Sequence, residues 1–281
     1  MIVITSVREM SEKAGSLKKS GRTIGFVPTM GYLHEGHCSL IRSARRNSDT
    51  VVVSIFVNPP QFGRGEDLDA YPRDFKRDER LAEKAGADIV FYPEANDVYA
   101  GDHRTFVTVE KLTEGLCGSS RPGHFRGVTT VVAKLFGVVR PDTAYFGQKD
   151  AQQAIVIKKM AADLNMGVAI RVEPIVREVD GLAMSSRNVY LSPAERVDAL
   201  VLSRSLKKAR SLIEGGQRNA ENVKEAIEEV VNTAPSAAID YVAIVNAANL
   251  IDLKTLQGEA LIALAVFIGK TRLIDNCIIH V

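Results

Sequence analysis

Two of the five histidines in the chain, His34 and His37, fall three residues apart in the stretch PTMGYLHEGH, residues 28–37. An apolar run precedes them and a helix-like pattern follows. If Glu35 or Gly36 opens that helix, the unpaired N–H groups of its first turn and the positive end of its dipole favour a phosphate. Two imidazoles at the same place could add hydrogen bonds to phosphoryl oxygens, and Gly36 would let a bulky ligand lie against the backbone. A surface helix start with incidental histidines fits the spacing equally well. A zinc pair fits it worse, because HxxH does not reproduce the HExxH spacing that sets two ligands one turn apart around a base.

Other polar clusters share this placement at the ends of strand-like runs. Asn58-Pro59-Pro60-Gln61 follows the apolar run 50–57, and its prolines stiffen a loop presenting Asn58 and Gln61. Gly147-Gln148-Lys149-Asp150, followed by Gln152 and Gln153, leaves the run 143–146. There Gly147 permits close approach, Lys149 is a compact cation, and Asp150 stands where a helix cap belongs. Met184-Ser185-Ser186-Arg187-Asn188 sets two hydroxyls beside a guanidinium, a grouping suited to polyphosphate oxygens, though also to an ordinary Ser-rich turn. Residues 121–127, RPGHFRG, make one more glycine-flanked basic loop.

The elements needed to hold these loops alternate. Helices are expected at 7–21, 35–47, 74–85, 129–139 and 151–165, and strands at 23–27, 50–57, 88–91, 143–146 and 168–172. Strands that alternate with helices and carry unbroken apolar runs imply βαβ units in a parallel sheet, with ligands at the carboxyl ends of the strands. Beyond residue 174 the texture changes. Ser192-Pro193-Ala194-Glu195 has capping-box chemistry and should open a long helix to about 214, followed by a helix at 220–233. Strands at 239–245, 260–268 and 273–279 complete a smaller α+β unit. The expected fold is therefore α/β, a Rossmann-like parallel-sheet domain at 1–174 with an α+β domain at 175–281.

Composition narrows the class. The chain has 281 residues, 46% hydrophobic and 25% charged, with a net charge of +2. Nothing global attracts nucleic acid or an acidic membrane, so an anion site must be local. The three dispersed cysteines are expected as thiols, as in a cytoplasmic protein. The N-terminal stretch meets charge by residue 8 and no apolar run reaches membrane-spanning length, so neither a secretory leader nor a membrane segment is expected.

Taken with VSIFVNPPQFG, DLDAYPRD, RPGHFRGV, YFGQKDAQQ, VREVDGLAMSSRNVYLS and TRLIDN, the PTMGYLHEGH stretch resembles the pantoate–β-alanine ligase (pantothenate synthetase) family over almost the whole chain. The HxGH and MSSRN elements also resemble the HIGH and KMSKS signatures of class I aminoacyl-tRNA synthetases and related nucleotidyltransferases. Pro60 and Cys38 depart from the apolar residues expected there, and neither is an expected contact. The resemblance implies a Rossmann-like domain, a C-terminal lid domain, a homodimer, and the pathway to pantothenate and coenzyme A. It implies ATP as substrate, with Mg²⁺ held mainly through the phosphates rather than by a protein metal site. His34, His37, Lys149, Ser185, Ser186 and Arg187 would carry the catalytic contacts to ATP. Met30, Gly147, Asp150, Val176 and Met184 would complete the nucleotide site. Gln61, Gln153 and Met30 would hold pantoate, with Asn58, Tyr71 and Arg121 lining the same cavity more loosely.

The implied reaction joins pantoate to β-alanine through an acyl adenylate. Two anions must meet, so the site has to supply position and charge neutralisation, and no protein nucleophile is needed. Another nucleotidyltransferase of the superfamily, a tRNA-charging enzyme and a silent nucleotide-binding regulator are the alternatives at this stage. Closure of the second domain is expected to bring Ser185 and Ser186 onto ATP. The apolar run at 51–56 and its neighbours are candidates for a dimer surface.

Overall fold

The computed structural model describes residues 1–281. Six strands form one all-parallel sheet: β1 (Ile2–Ile4), β2 (Ile24–Thr29), β3 (Thr50–Ile55), β4 (Ile89–Phe91), β5 (Thr143–Gly147) and β6 (Ala169–Glu173). Their order is β1-β4-β3-β2-β5-β6. From β2 the chain builds outward through β3 to β4, then returns to the other side of β2 for β5 and β6. The strand order thus reverses between β2 and β5, and a crevice opens there at their carboxyl ends.

Alternation along each strand divides the core between the two faces. Val52, Phe26 and Phe146 pack with Met10 and Leu17 of α1 (Val7–Lys19), with α6 (His124–Val139) and with α7 (Ala151–Asp163). Val51, Val53 and Tyr145 face Ile41 and Ala44 of α2 (Glu35–Asn47) and Ala82 of α3 (Phe75–Ala85). Every residue of β3 is buried. That explains its unbroken apolar sequence and corrects the idea of residues 51–56 as a dimer surface: β3 lies between β2 and β4, covered on both faces. Two short helices, α4 (Ala95–Val98) and α5 (Cys117–Ser120), lie in the connection to α6.

The second sheet is antiparallel, β7 (Ala237–Asn246), β8 (Glu259–Ile268) and β9 (Thr271–His280) in that order. On one face Ile262, Leu264 and Val266 of β8 pack against α9 (Leu200–Glu214) and α10 (Ala220–Val231). On the other face Leu261 and Ala263, with Val245, meet Ala151 at the start of α7. That apolar contact joins the two sheets directly above the β5 carboxyl end.

Three elements depart from expectation. α6 begins at His124 rather than 129, so most of the basic loop is helix, entered through Gly123 at φ +85°. The capping box at Ser192 is present, but the helix it opens, α8 (Pro193–Asp198), ends before α9 begins. β1 lies in an N-terminal stretch too short to show a pattern. No helix is long and apolar enough to cross a membrane.

Candidate active site

The turn after β2 is held by buried acceptors. Thr29 donates its hydroxyl to the Ser54 carbonyl (2.8 Å) and accepts from the Gly31 N–H (3.2 Å). Asp78 of α3, itself buried, accepts from the N–H groups of Tyr32 (2.6 Å) and Leu33 (2.7 Å). Gly31 at φ +88° and Tyr32 at φ +49° make the reversal that delivers His34 to the helix start. His34 is the N-cap of α2. Its Nδ1 accepts from the Gly36 N–H (3.1 Å), while its own N–H donates to His37 Nδ1 (3.3 Å).

That reciprocal cap changes the reading of the motif. The first-turn N–H of Gly36, expected to face a phosphate, is instead committed to an imidazole, as is the N–H of His34 itself. With both Nδ1 atoms accepting, each neutral ring carries its proton on Nε2 and keeps one donor free. Burial, reinforced by His37 and by Lys149, lowers the His34 pKa to about 2. Burial lowers that of His37 to about 4, with Asp150 opposing. The histidines are uncharged donors, not cations. Gly36 has a nearer purpose than ligand access, because a Cβ there would stand 2.8 Å from His34 Cε1.

The NPPQ loop is a 3-10 turn over Pro59–Gln61. Asn58 is buried and fully engaged: its amide donates to Gln61 Oε1 (3.1 Å) and the Gly127 carbonyl (3.1 Å), and its oxygen accepts from Tyr99 (2.7 Å). It reaches the cavity wall, but its bonds orient Gln61. Gln61 Nε2 points at Met30 Sδ (2.9 Å), and its carbonyl accepts from His124 Nδ1 (2.8 Å). Arg121 donates to His124 Nε2 (3.0 Å), and burial with that guanidinium lowers the His124 pKa to about 4.

After β5, the 3-10 turn Gln148–Asp150 presents Lys149 and Asp150. Asp150 stands at the N-cap position of α7 but makes no side-chain cap bond, contrary to the capping expected of it. The turn is pinned from the other sheet: Asn276 of β9 donates to the carbonyls of Gln148 (2.9 Å) and Lys149 (3.0 Å). Next to it, Asp275 takes a two-bond pair from Arg177 (2.7 and 2.9 Å). Arg177 begins a tight hairpin closed by Met184 N–H to the Val176 carbonyl (3.0 Å), with Gly181 at φ +99°.

This hairpin carries the MSSRN turn against the first sheet's loops. Ser185 accepts from the Arg187 N–H (3.2 Å), and Ser186 donates to the Tyr32 carbonyl (3.1 Å). Arg187 forms two 2.8 Å bonds to Asp67, with its guanidinium 5.6 Å from the centre of the buried Tyr71 ring. Arg121 is likewise paired with Glu66 (2.6 Å). The turn is thus seated beside the HxGH segment through Ser186. Lys149 has no such carboxylate partner.

Every residue assigned above to ATP or pantoate lines one cavity of about 210 Å³ at the carboxyl ends of β2, β3 and β5. Met30, His34, His37, Asn58, Gln61 and Tyr71 come from the first half of the sheet. Arg121, Gly147, Lys149, Asp150 and Gln153 come from its second half, and Val176, Met184, Ser185, Ser186 and Arg187 from the hairpin. Val128, Val131 and Leu135 of α6 supply an apolar wall. Asp78, Asn276, Glu66, Asp67 and His124 are supports to which reading the sequence assigns no role. For His124, Asp67 and Asn276 a signal exists, since they lie in the RPGHFRGV, DLDAYPRD and TRLIDN stretches of the family pattern, but those positions carry no evident task of their own.

The sequence profile of the pantoate-beta-alanine ligase family matches residues 2–278. A pantothenate synthetase of Heliobacterium modesticaldum is 62% identical over 100% of both chains, and one of Caldicellulosiruptor bescii is 56% identical over 100% of this chain and 99% of its own. A crystal structure of pantothenate synthetase from Thermus thermophilus superposes with TM-score 0.94 at 46% identity, covering 99% of each chain. A pantoate-beta-alanine ligase from Francisella tularensis, solved with β,γ-ATP and β-alanine, superposes with TM-score 0.79 at 34% identity over 99% of this chain and 97% of its own.

Proposed function

The chain belongs to the pantoate–β-alanine ligase family, and from that premise we propose how its residues divide the work. The reaction is the ATP-dependent condensation of pantoate with β-alanine to pantothenate through a pantoyl adenylate, with release of AMP and pyrophosphate. Convergence of the loop residues on one cavity at the strand-order reversal is the observation that carries the assignment of roles.

In the first step a pantoate carboxylate oxygen attacks the α-phosphorus of ATP and the bond to pyrophosphate breaks. In the second the β-alanine nitrogen attacks the acyl carbon, AMP leaves, and the nitrogen loses a proton. Gln61 and Gln153 are neutral donors that orient pantoate without neutralising the attacking carboxylate. Met30 lies against Gln61 and completes that end of the cavity. Tyr71 and Arg121 form the wall, and Asn58 positions Gln61.

His34 and His37 offer Nε2–H donors to the phosphoryl oxygens, and Lys149 and Arg187 carry positive charge to the polyphosphate. Ser185 and Ser186 add hydroxyls; Gly147, Asp150, Val176 and Met184 flank the nucleotide. Mg²⁺ would ride on the phosphates and neutralise them. No cluster of three acidic, His or Cys side chains forms a cage for it, and Asp150, free of a capping bond, is the carboxylate suited to contribute one ligand.

Residues 1–174 would act as the domain that binds nucleotide and pantoate, and 175–281 as the lid. The protein would work as a cytoplasmic homodimer. With β3 interior, the exposed edge strand β6 is the place where a second copy could add. Incubation with ATP, Mg²⁺, pantoate and β-alanine should yield pantothenate, AMP and pyrophosphate by mass. Exchange of labelled pyrophosphate into ATP should require pantoate but not β-alanine. Exchange without pantoate, or with another acid in its place, would overturn the reading.

A further inference from the structure

The tip of the hairpin that leads into the MSSRN turn is fastened by polar bonds. Glu178 accepts twice, from Asn188 Nδ2 at Oε1 (2.9 Å) and from Arg196 Nη2 at Oε2 (2.7 Å). The same guanidinium nitrogen reaches Asp180 Oδ1 (3.0 Å), which also accepts the Leu182 N–H (3.2 Å) and so closes the tip. Between the two carboxylates Val179 is fully exposed, so its side chain packs nothing down there; Leu182 and Ala183, which are buried, belong to the returning side. Arg196 is carried by α8, a helix with no buried residue of its own. Asp198 of that helix ties it to the second sheet by accepting from the Ser236 hydroxyl (2.6 Å) and N–H (3.2 Å). A line of bonds thus runs from the start of β7 through α8, Arg196 and Glu178 to Asn188, the residue after Arg187. Partly exposed ion pairs add little to stability. What this one supplies is a fixed position for the turn.

We propose that Arg196 and Glu178 are positioning residues for the departure of pyrophosphate. They touch no substrate. They hold Asn188, and through it the turn over Ser186–Tyr190, so that Ser185, Ser186 and Arg187 meet the β- and γ-phosphates in register. Without the clasp the tip has only its backbone bonds, and a displacement of about 1 Å at reacting groups can cost about 10²-fold in rate. Gln61 and Gln153 stand on elements of the first sheet, so the pantoate end is untouched. The assignment rests on the ligase reading, and nucleotide binding measured without turnover separates the two.

The test uses Arg196→Met, which keeps the aliphatic stem, with Arg196→Lys and Glu178→Ala, all in the full chain. Arg196→Met and Glu178→Ala should each slow pyrophosphate exchange about tenfold or more, with KM for pantoate within twofold of wild type and the urea midpoint nearly unchanged. Arg196→Lys keeps one bond to Glu178 and should recover most of that loss. The double variant should be no slower than the worse single one, because the two residues form one link. In calorimetric titrations without pantoate, Arg196→Met should bind ATP several-fold more weakly and AMP as the wild type does, since AMP lacks the phosphates that the turn meets. Exchange within twofold of wild type in both Arg196→Met and Glu178→Ala overturns the proposal. So does a loss shared equally by ATP, AMP and pantoate and matched by a lower urea midpoint, which marks a general support. If Glu178→Ala fails to fold, the two Arg196 variants decide. Absence of exchange in the wild type would remove the ligase reading, while the ATP-to-AMP ratio would still judge the clasp.

Discussion

His34 and His37 stand with ring centroids 4.1 Å apart, each accepting a backbone N–H through Nδ1. One arrangement therefore does two jobs. It caps α2, and it fixes the tautomer that turns two Nε2–H donors outward. Because both rings are held neutral, what they can offer a phosphoryl oxygen is directional hydrogen bonding, and the unpaired positive charge beside them is that of Lys149, since Asp67 offsets Arg187.

The pH dependence follows with a definite sign. His34, His37 and His124 have pKa values lowered from 6.5 to about 2, 4 and 4. The unfolded chain thus binds more protons than the folded one below pH 6.5. Stability from these groups is complete above that pH and is lost as pH falls, down to about 4 for His37 and His124 and to about 2 for His34. Urea midpoints should drop between about pH 7.5 and pH 5, above the range where ordinary carboxylates titrate. Pyrophosphate exchange should show no inflection near 6.5. An inflection there that disappears in His34→Asn would mean that a charged imidazole takes part.

The capping and chemical roles of His34 can be pulled apart. His34→Ala should lose about 0.5–2 kcal/mol of stability with its cap. Asn is a strong N-cap, so His34→Asn should unfold near the wild-type midpoint while exchange falls about 10²–10³-fold. Lys149→Ala, which breaks no internal pair, should show the same loss of exchange with unchanged stability. Wild-type exchange in His34→Asn would reduce the residue to a cap.

Gly127 places Gln61. A Cβ at this position would come closer than 3.0 Å to the Pro60 carbonyl and the Gln61 amide, both backbone and unable to swing aside. Gly127→Ala should cost about 1–3 kcal/mol by overpacking and displace the turn that carries Gln61. KM for pantoate should rise more than KM for ATP. Equal increases would indicate general loosening of the cavity.

The α/β architecture and the loops that meet at its crevice are legible in the sequence because apolar runs, capping residues and glycine turns are local signals. What the sequence hides is long-range. Asp78 is one acid among several on a charged helix, and only the fold sets its carboxylate under the Tyr32 and Leu33 amides. Glu66 and Asp67 have no partner within the local sequence, and only the fold brings Arg121 and Arg187 to them from far along the chain. The reciprocal cap escapes notice for a different reason. Imidazole is an uncommon N-cap, so the spacing of the histidines suggests phosphate and not each other.

Asp78 should be intolerant even of its isostere. Asp78→Asn keeps one acceptor oxygen and turns an NH₂ donor towards an amide N–H that now lacks a partner. Leaving that buried donor unsatisfied should cost about 1–3 kcal/mol, and exchange should fall because the turn carrying His34 shifts. Retention of both stability and exchange would show that the turn holds its shape without the carboxylate.

Asn276 offers the sharpest view of how the second sheet serves the first. It touches neither histidine nor hairpin serine, yet its amide bonds to two carbonyls of the turn presenting Lys149. Asn276→Ala removes both bonds while leaving the lining of the main cavity intact. If β9 acts as a brace, exchange should fall by at least about tenfold, through positioning of Lys149 rather than loss of a ligand contact. Combining Asn276→Ala with Lys149→Ala should then add little to the loss from Lys149→Ala alone, since the brace acts through that side chain. Fully additive losses would mean that Asn276 supports the reaction by another route.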